Sequence, residues 1–407
     1  MANRVFDLNQ FIGSFVTERS ASLLKQDLES NQSVLSGQID GRRVLVIGGA
    51  GTIGSSFIRA LLKFHPAALY VVDTDENGLT ELTRDLRSRV DCHVPTEYLT
   101  YPIDFGSKLF QRWLSAQASF DIVANFAAHK HVRSEKDVYS IQAMLENNVL
   151  KARRLLEQLA LRPPQHFFCV STDKAANPVN VMGASKKLME DLIMAYADRF
   201  KITTARFANV AFSNGSLLAG FLQRMVKKQP LSAPSDVRRY FVSPDESGEL
   251  CLLACILGES GDIIFPKLQT EQMRTFDGIA VDFLAAYGGF EADRCGSEEE
   301  ARSKARILRD DSKHYPVYFS ESSTSGEKPY EEFYTEGETI DWNRFRELGV
   351  IKQLSVPPRQ DIERMVSALQ EILDRGSVDK EEIVAALSIL VPNFEHIETG
   401  QSLDHKM

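Results

Sequence analysis

Residues Arg43–Ile47 (RVLVI) run directly into Gly48–Gly54 (GGAGTIG), and the fold turns on this stretch. The apolar run is too short for a helix and rich in β-branched side chains, which is the pattern of a strand buried on both faces. Gly49-Ala50-Gly51-Thr52-Ile53-Gly54 then spells G-x-G-x-x-G, Gly48 adds an overlapping G-x-x-G-x-x-G spacing, and residues 55–64 read as a helix. Glycines at such a strand-to-helix turn let the backbone turn tightly and approach a pyrophosphate, whose charge is favoured at the helix N-terminus. Ala68–Asp73 (ALYVVD) reads as a second strand ending on an acid, 19 residues past Gly54. An aspartate there accepts hydrogen bonds from an adenosine ribose and repels a 2′-phosphate, and Thr74-Asp75-Glu76 offers no arginine to receive one. The stretch predicts a dinucleotide site that prefers NAD to NADP.

Working outward, strands and helices alternate as far as about residue 207. Strands are expected near 98–103, 121–126, 166–171 and 202–207. Helices are expected near 76–90, 109–116, 138–161 and 185–200. That alternation predicts an α/β fold with a Rossmann-like, doubly wound parallel sheet. Beyond residue 208 the pattern loosens around Pro230, Pro234, Pro244 and Pro266. It becomes loop-rich over 291–340 and returns to helical spacing at Ile362, Met365, Leu369, Ile372 and Leu373. The expected organisation is a helical extension (1–40), an NAD-binding domain (41–210), a smaller substrate-binding region (211–355) that can share strands with it, and a second helical extension (356–407). The last dozen residues are expected to fray.

The chain has 407 residues, 43% of them apolar and 25% charged, which is ample for a large core and excludes general disorder. A net charge of −9 disfavours nonspecific nucleic-acid binding. No run approaches the length of a membrane-spanning helix, and the first 15 residues lack the apolar core of a secretory signal. A cytoplasmic protein with no integral membrane segment is the expectation. Leu8, Phe11, Ile12 and Phe15 fall at helical spacing and suit packing on the main body, on another subunit or on a membrane surface, the first being favoured. The five cysteines are scattered and odd in number, as for free thiols; Cys251 and Cys255 share a helix face, but no second ligand pair lies nearby, so no metal is expected.

Ligands bind at the carboxyl ends of parallel strands. Two such ends carry reactive side chains here: Asn125-Phe126-Ala127-Ala128-His129-Lys130-His131, and Ser171-Thr172-Asp173-Lys174-Ala175-Ala176-Asn177-Pro178 followed by Val181-Met182-Gly183-Ala184-Ser185-Lys186. In the first, small residues at Ala127 and Ala128 leave room for a nicotinamide ribose, and Lys130 suits a phosphate or sugar. In the second, a hydroxyl, a carboxylate and an ammonium in succession form an acid–base set, with Lys186 beginning the next helix. A Thr-Asp-Lys run in isolation is more often a helix cap; its position opposite the glycine turn argues for chemistry.

GGAGTIGSSF, NFAAHKHV, ENNVLKA, STDKAANPVNVMGASK, RFANVAFSNGS and RRYFVS together resemble the extended short-chain dehydrogenase/reductase family. More narrowly, they resemble its polysaccharide-biosynthesis branch of UDP-N-acetylglucosamine 4,6-dehydratases, over about residues 42–265 and more loosely at 320–334. The resemblance implies a UDP-sugar substrate, NAD used catalytically, and self-association through helices. It implies Lys174 as the base at C5, Asp173 as the acid at C6, Thr172 at the C4 oxygen and Lys186 at the cofactor. It also implies an adenine contact for Asp104 and substrate contacts for Asn148, Arg206, Asn209, Ser216 and Arg239. Met182 stands where the family commonly has its catalytic tyrosine, which resembles the branch that retains configuration at C5. The C4 proton is then left to Thr172, Asp173 or Lys186. Lys151 and Asn214 depart from the glycine and arginine usual at their positions. A nucleotide-sugar 4-epimerase or a noncatalytic NAD-binding sensor are the competing readings.

Overall fold

The computed structural model describes residues 6–309, 311–322, 328, 330, 332–352 and 357–398. Six parallel strands, β1 (Arg43–Ile47), β2 (Ala68–Asp73), β3 (Glu97–Pro102), β4 (Ile122–Asn125), β5 (His166–Val170) and β6 (Ile202–Ala205), form the heart of a nine-stranded sheet. From one edge the order is Thr339–Asp341, Leu348–Lys352, Ile263–Pro266, β6, β5, β4, β1, β2, β3. Ile263–Pro266 runs parallel to β6, whereas Leu348–Lys352 and Thr339–Asp341 close the sheet antiparallel. The chain direction across the sheet reverses between β1 and β4, and such a switch point opens a cleft above the strand ends.

The two faces of β1 seed two cores. Leu45 and Ile47 join one beneath the helices of 138–159, Val181–Met194 and the C-terminal helices; Val44 and Val46 join the other beneath Lys25–Ile39, Thr52–Leu61, Glu76–Ser88 and Pro244–Leu257. The apolar stripe of Arg359–Leu373 and Lys380–Leu390 is therefore buried inside this chain, through Ile362, Val366, Leu369, Ile383 and Leu387. A third, smaller core surrounds the parallel sheet Glu291–Arg294, His314–Ser320 and Leu231–Pro234. Phe11, Ile12 and Val16 pack into it, so the N-terminal stripe lies on the main body. The described part of residues 211–355 thus divides between the main sheet and this small layer.

Two helices differ from their sequence reading for local reasons. The helix expected from residue 185 begins at Val181, because the Asn180 side chain accepts the Gly183 N–H at 2.8 Å and caps it four residues earlier. The helix expected over 138–161 is interrupted by a π turn at Glu146–Leu150, which re-aims Asn148. Part of the 320–334 stretch and residues 399–407 lie outside the described residues. Residues 396–398, expected to fray with the end of the chain, are instead held: His396 contacts Glu135 and the Ile397 N–H donates to the Val179 carbonyl at 2.9 Å.

Candidate active site

The glycine turn is built from four differently constrained residues. Gly48 has φ +74°, and a Cβ there would sit 2.4 Å from the Ala127 nitrogen. A Cβ on Gly54 would lie 2.3 Å from the Gly48 carbonyl oxygen and one on Gly49 2.4 Å from the Val71 side chain, so both are glycine for internal packing. Gly51 is different. Its backbone (φ −69°, ψ 164°) suits any residue, and the nearest atom to a Cβ is 3.5 Å away. Gly51 also caps the helix Thr52–Leu61 with no side-chain hydrogen bond to its first turn. A bare helix N-terminus behind an open glycine is a cradle for an anion from outside the chain.

The cleft above the switch point has two chambers sharing Gly48, Gly51, Phe126, Ala128 and Asn214 as walls. The first, about 260 Å³, is lined by Asp73, Asp104, Ala127 and Lys151. Asp73 accepts from the backbone N–H of Ala50 (2.9 Å) and of Asp75 (3.0 Å), tying the glycine turn to β2. Asp104 is held by Lys151 at 2.7 Å, and this pairing carries the site's departure from glycine at residue 151. The Asp104 carboxyl is partly buried, which alone would raise its pKa, but Lys151 reverses that and holds it low.

The second chamber, about 470 Å³, brings together Thr52, Ile53, Gly54, Lys130, Thr172, Asp173, Lys174, Met182, Lys186, Asn209, Ser216 and Arg239. The Thr172 hydroxyl donates to Asp173 Oδ1 at 2.8 Å, and Lys174 Nζ lies 3.0 Å from the same oxygen. Met182 is only 2% exposed and Lys186 3%. Lys186 donates to the Val170 carbonyl at 2.8 Å, and burial pushes its pKa down. Burial also lowers the Lys130 pKa. Asn209 Nδ2 is buried and has no hydrogen-bond partner among the described residues. Ser216 caps the helix Leu217–Val226, and Arg239 donates to the Arg238 and Lys328 carbonyls at 3.0 Å.

Two residues assigned to substrate stand behind these walls. Arg206 has no exposure, and its guanidinium is spent on Glu190, Glu338 and the Phe333 carbonyl at 2.9–3.0 Å. It does not reach a diphosphate; it welds β6 to the helix Val181–Met194 and to residues 333–338. Burial would raise the Glu190 pKa, but Arg206 more than offsets it and the net direction is down. Breaking a buried ion pair from one side leaves the other charge stranded. Arg206→Met is expected to cost about 3 kcal/mol in chemical denaturation, with partial recovery in Arg206→Met/Glu190→Leu. Asn148 is also buried; it donates to the His129 carbonyl (2.9 Å) and Ser185 (3.0 Å) and accepts from the His129 N–H (2.9 Å). It shapes the Ala127–His131 turn from outside the cleft.

The sequence reading missed Glu135, which accepts the Val181 N–H at 2.7 Å at the start of the helix carrying Met182 and Lys186. Glu135, His396 and Glu398 are the one group of metal-ligand type among the described residues, and the Lys380 ammonium lies among them, 3.8 Å from Glu135. Burial pushes the Cys251 and Cys255 thiols up, Cys255 to about 12. Among the described residues no helix is long and apolar enough to cross a membrane.

Fold and cleft define a protein with a Rossmann-like, doubly wound sheet. Residues 44–353 match the polysaccharide biosynthesis protein family, and the chain belongs to it. An uncharacterized membrane protein of Methanocaldococcus jannaschii is 32% identical over 62% of this chain and 74% of its own length. The probable polysaccharide biosynthesis protein EpsC of Bacillus subtilis is 30% identical over 57% of this chain, but the match spans only 38% of EpsC. A UDP-N-acetylglucosamine 4,6-dehydratase (inverting) of Campylobacter jejuni is 27% identical over 56% of this chain and 68% of its own. A UDP-glucose 4-epimerase of Rickettsia bellii is 27% identical over 56% and 66%. Among solved structures, Pen from Bacillus thuringiensis has a TM-score of 0.62 at 20% identity, covering 82% of this chain and 98% of its own. A dTDP-glucose 4,6-dehydratase mutant, DesIV from Streptomyces venezuelae, with NAD bound, has 0.52 at 19%, covering 86% and 96%. These likenesses establish the fold.

Proposed function

We propose that this chain is an NAD-dependent 4,6-dehydratase of UDP-N-acetylglucosamine, retaining configuration at C5, that serves glycan assembly. The observation that carries the reading is the Thr172–Asp173–Lys174 set, mutually hydrogen-bonded within the cleft that Gly51 opens onto. NAD would suit the cleft: Gly51 and the helix N-terminus would hold its pyrophosphate, Asp73 its ribose and Asp104 its adenine, with Lys186 toward its nicotinamide.

The C5 hydrogen of a hexose is not acidic and the C6 hydroxyl is a poor leaving group. Bound NAD supplies reversible hydride removal at C4 and its return at C6. With C4 a ketone, the C5 hydrogen is α to a carbonyl, and Lys174 as free amine removes it. The proton balance gives Asp173 its part. The proton leaving the C4 hydroxyl passes through Thr172 to the Asp173 carboxylate, 2.8 Å away, and then to the departing C6 oxygen as water. No tyrosine is needed, consistent with Met182. Lys174 finally delivers one of its ammonium protons, which exchange with solvent, to C5 on the face from which the first was taken. Configuration is therefore kept, C5 acquires a solvent hydrogen and both side chains end as they began.

The Rickettsia relative motivates the epimerase reading, which leaves Asp173 and Lys174 idle; the Campylobacter relative motivates inversion, which needs a second proton donor. Incubation with UDP-N-acetylglucosamine in D₂O, followed by NMR and mass spectrometry, tests all three. Loss of one water, a new 6-methyl signal and deuterium at C5 in gluco configuration are expected. A C4-inverted sugar with no water lost would replace the dehydratase reading by the epimerase one.

A further inference from the structure

Residues 176–179, just beyond Lys174 and Ala175, form no helix or strand, yet every carbonyl in this run is tied down. Ala176 accepts from Asn393 Nδ2 at 2.8 Å, Asn177 from Lys328 Nζ at 2.7 Å, Pro178 from the Glu395 N–H at 3.0 Å and Val179 from the Ile397 N–H at 2.9 Å. Three of the four donors belong to the segment that follows the last helix, Lys380–Leu390. The same segment is anchored a second time. His396 contacts the Glu135 carboxylate, with Lys380 3.8 Å from it, and the other Glu135 oxygen accepts the Val181 N–H at 2.7 Å. Glu135 is 7% exposed at its side chain, so its charge is committed to these partners. Gly183 completes the arrangement, since a Cβ there would lie 2.6 Å from the Lys174 carbonyl oxygen.

We propose that residues 393–397 are a positioning strap for the Thr172–Asp173–Lys174 set, joined to the body at Glu135. The proposal rests on the dehydratase reading for what the positioned groups do. Asn393 and Glu135 touch neither cleft chamber and are positioning residues, not catalytic ones. A loop backbone whose carbonyls pair with water samples many conformations; one whose carbonyls pair with a fixed segment holds the next side chains in one arrangement. Acid–base transfer is steeply sensitive to such placement, so a loosened strap lowers turnover more than substrate affinity.

The test compares Asn393→Ala, Glu135→Ala and Glu135→Gln in the full chain, reading hydrogen exchange over 172–181, melting temperature, and kcat and KM for UDP-N-acetylglucosamine. Asn393→Ala and Glu135→Ala are expected to speed exchange in that window and leave β1–β5 protected. They are expected to lower kcat about tenfold with KM within about twofold. Glu135→Gln keeps an acceptor for the Val181 N–H and is expected to restore most of both. Unchanged exchange over 172–181 in both alanine variants overturns the strap, as does faster exchange spread evenly over the whole sheet. If the native chain leaves the sugar unchanged, the dehydratase reading fails, and the exchange data still decide the strap.

Discussion

Lys174→Ala is expected to lose about 10³-fold in dehydration turnover while remaining folded and able to bind NAD. The Lys174 side chain is 18% exposed at the rim of the cleft, and its 3.0 Å contact with Asp173 ties neighbours in sequence, so its loss opens no core. What it removes is the only group placed to take the C5 proton in the proposed mechanism. Asp173→Asn is expected to lose as much turnover, but at an earlier step. The amide cannot take the C4 hydroxyl proton from Thr172, so oxidation at C4 is itself slowed. In a single turnover, Lys174→Ala should accumulate reduced nicotinamide absorbance and a 4-keto sugar that has kept its C6 hydroxyl, whereas Asp173→Asn should accumulate neither. A 4-epimerase would keep most of its turnover in Lys174→Ala, and that result would sink the dehydratase reading.

How much of this was legible in the sequence follows the range of the interactions. RVLVI, ALYVVD and HFFCV are strands because their own residues are buried on both faces, and a local pattern suffices to find them. The glycine turn and Asp73 are legible for the same reason: the constraint and the residue that meets it are neighbours. The start of the helix at Val181 was legible in principle from Asn180, a good cap. Arg206 was not. An arginine at the end of a strand beside a ligand cleft reads as a phosphate fork until Glu338 arrives from 132 residues away and Glu190 from 16. Glu135 is harder still, since its partners Val181, Lys380 and His396 come from three separate segments. Local pattern indicates that a residue is polar and near a site; only the tertiary fold says whether its donors and acceptors are already taken.

That distinction between internally and externally constrained residues makes its sharpest claim within the glycine turn. Gly51→Val is expected to weaken NAD binding about 100-fold or more with the melting temperature nearly unchanged, whereas Gly54→Val is expected to destabilise the fold itself by about 3 kcal/mol. At Gly54 the new side chain meets the Gly48 carbonyl at 2.3 Å, a backbone atom that cannot yield without moving β1 or the helix. At Gly51 the backbone already has dihedral angles a β-branched residue favours, and a Cβ finds only the Gly48 oxygen at 3.5 Å, an ordinary van der Waals distance. The free protein therefore has no reason of its own for a glycine there. In the proposed function the reason is a ligand that approaches closer than a side chain would allow, the dinucleotide pyrophosphate at a helix N-terminus opposite Asp73. Titration of both variants with NAD, beside their thermal melts, separates the two effects. If Gly51→Val binds NAD as the native chain does, the pyrophosphate does not lie on this turn, and the cofactor assignment of Asp73, Asp104 and Lys186 falls with it.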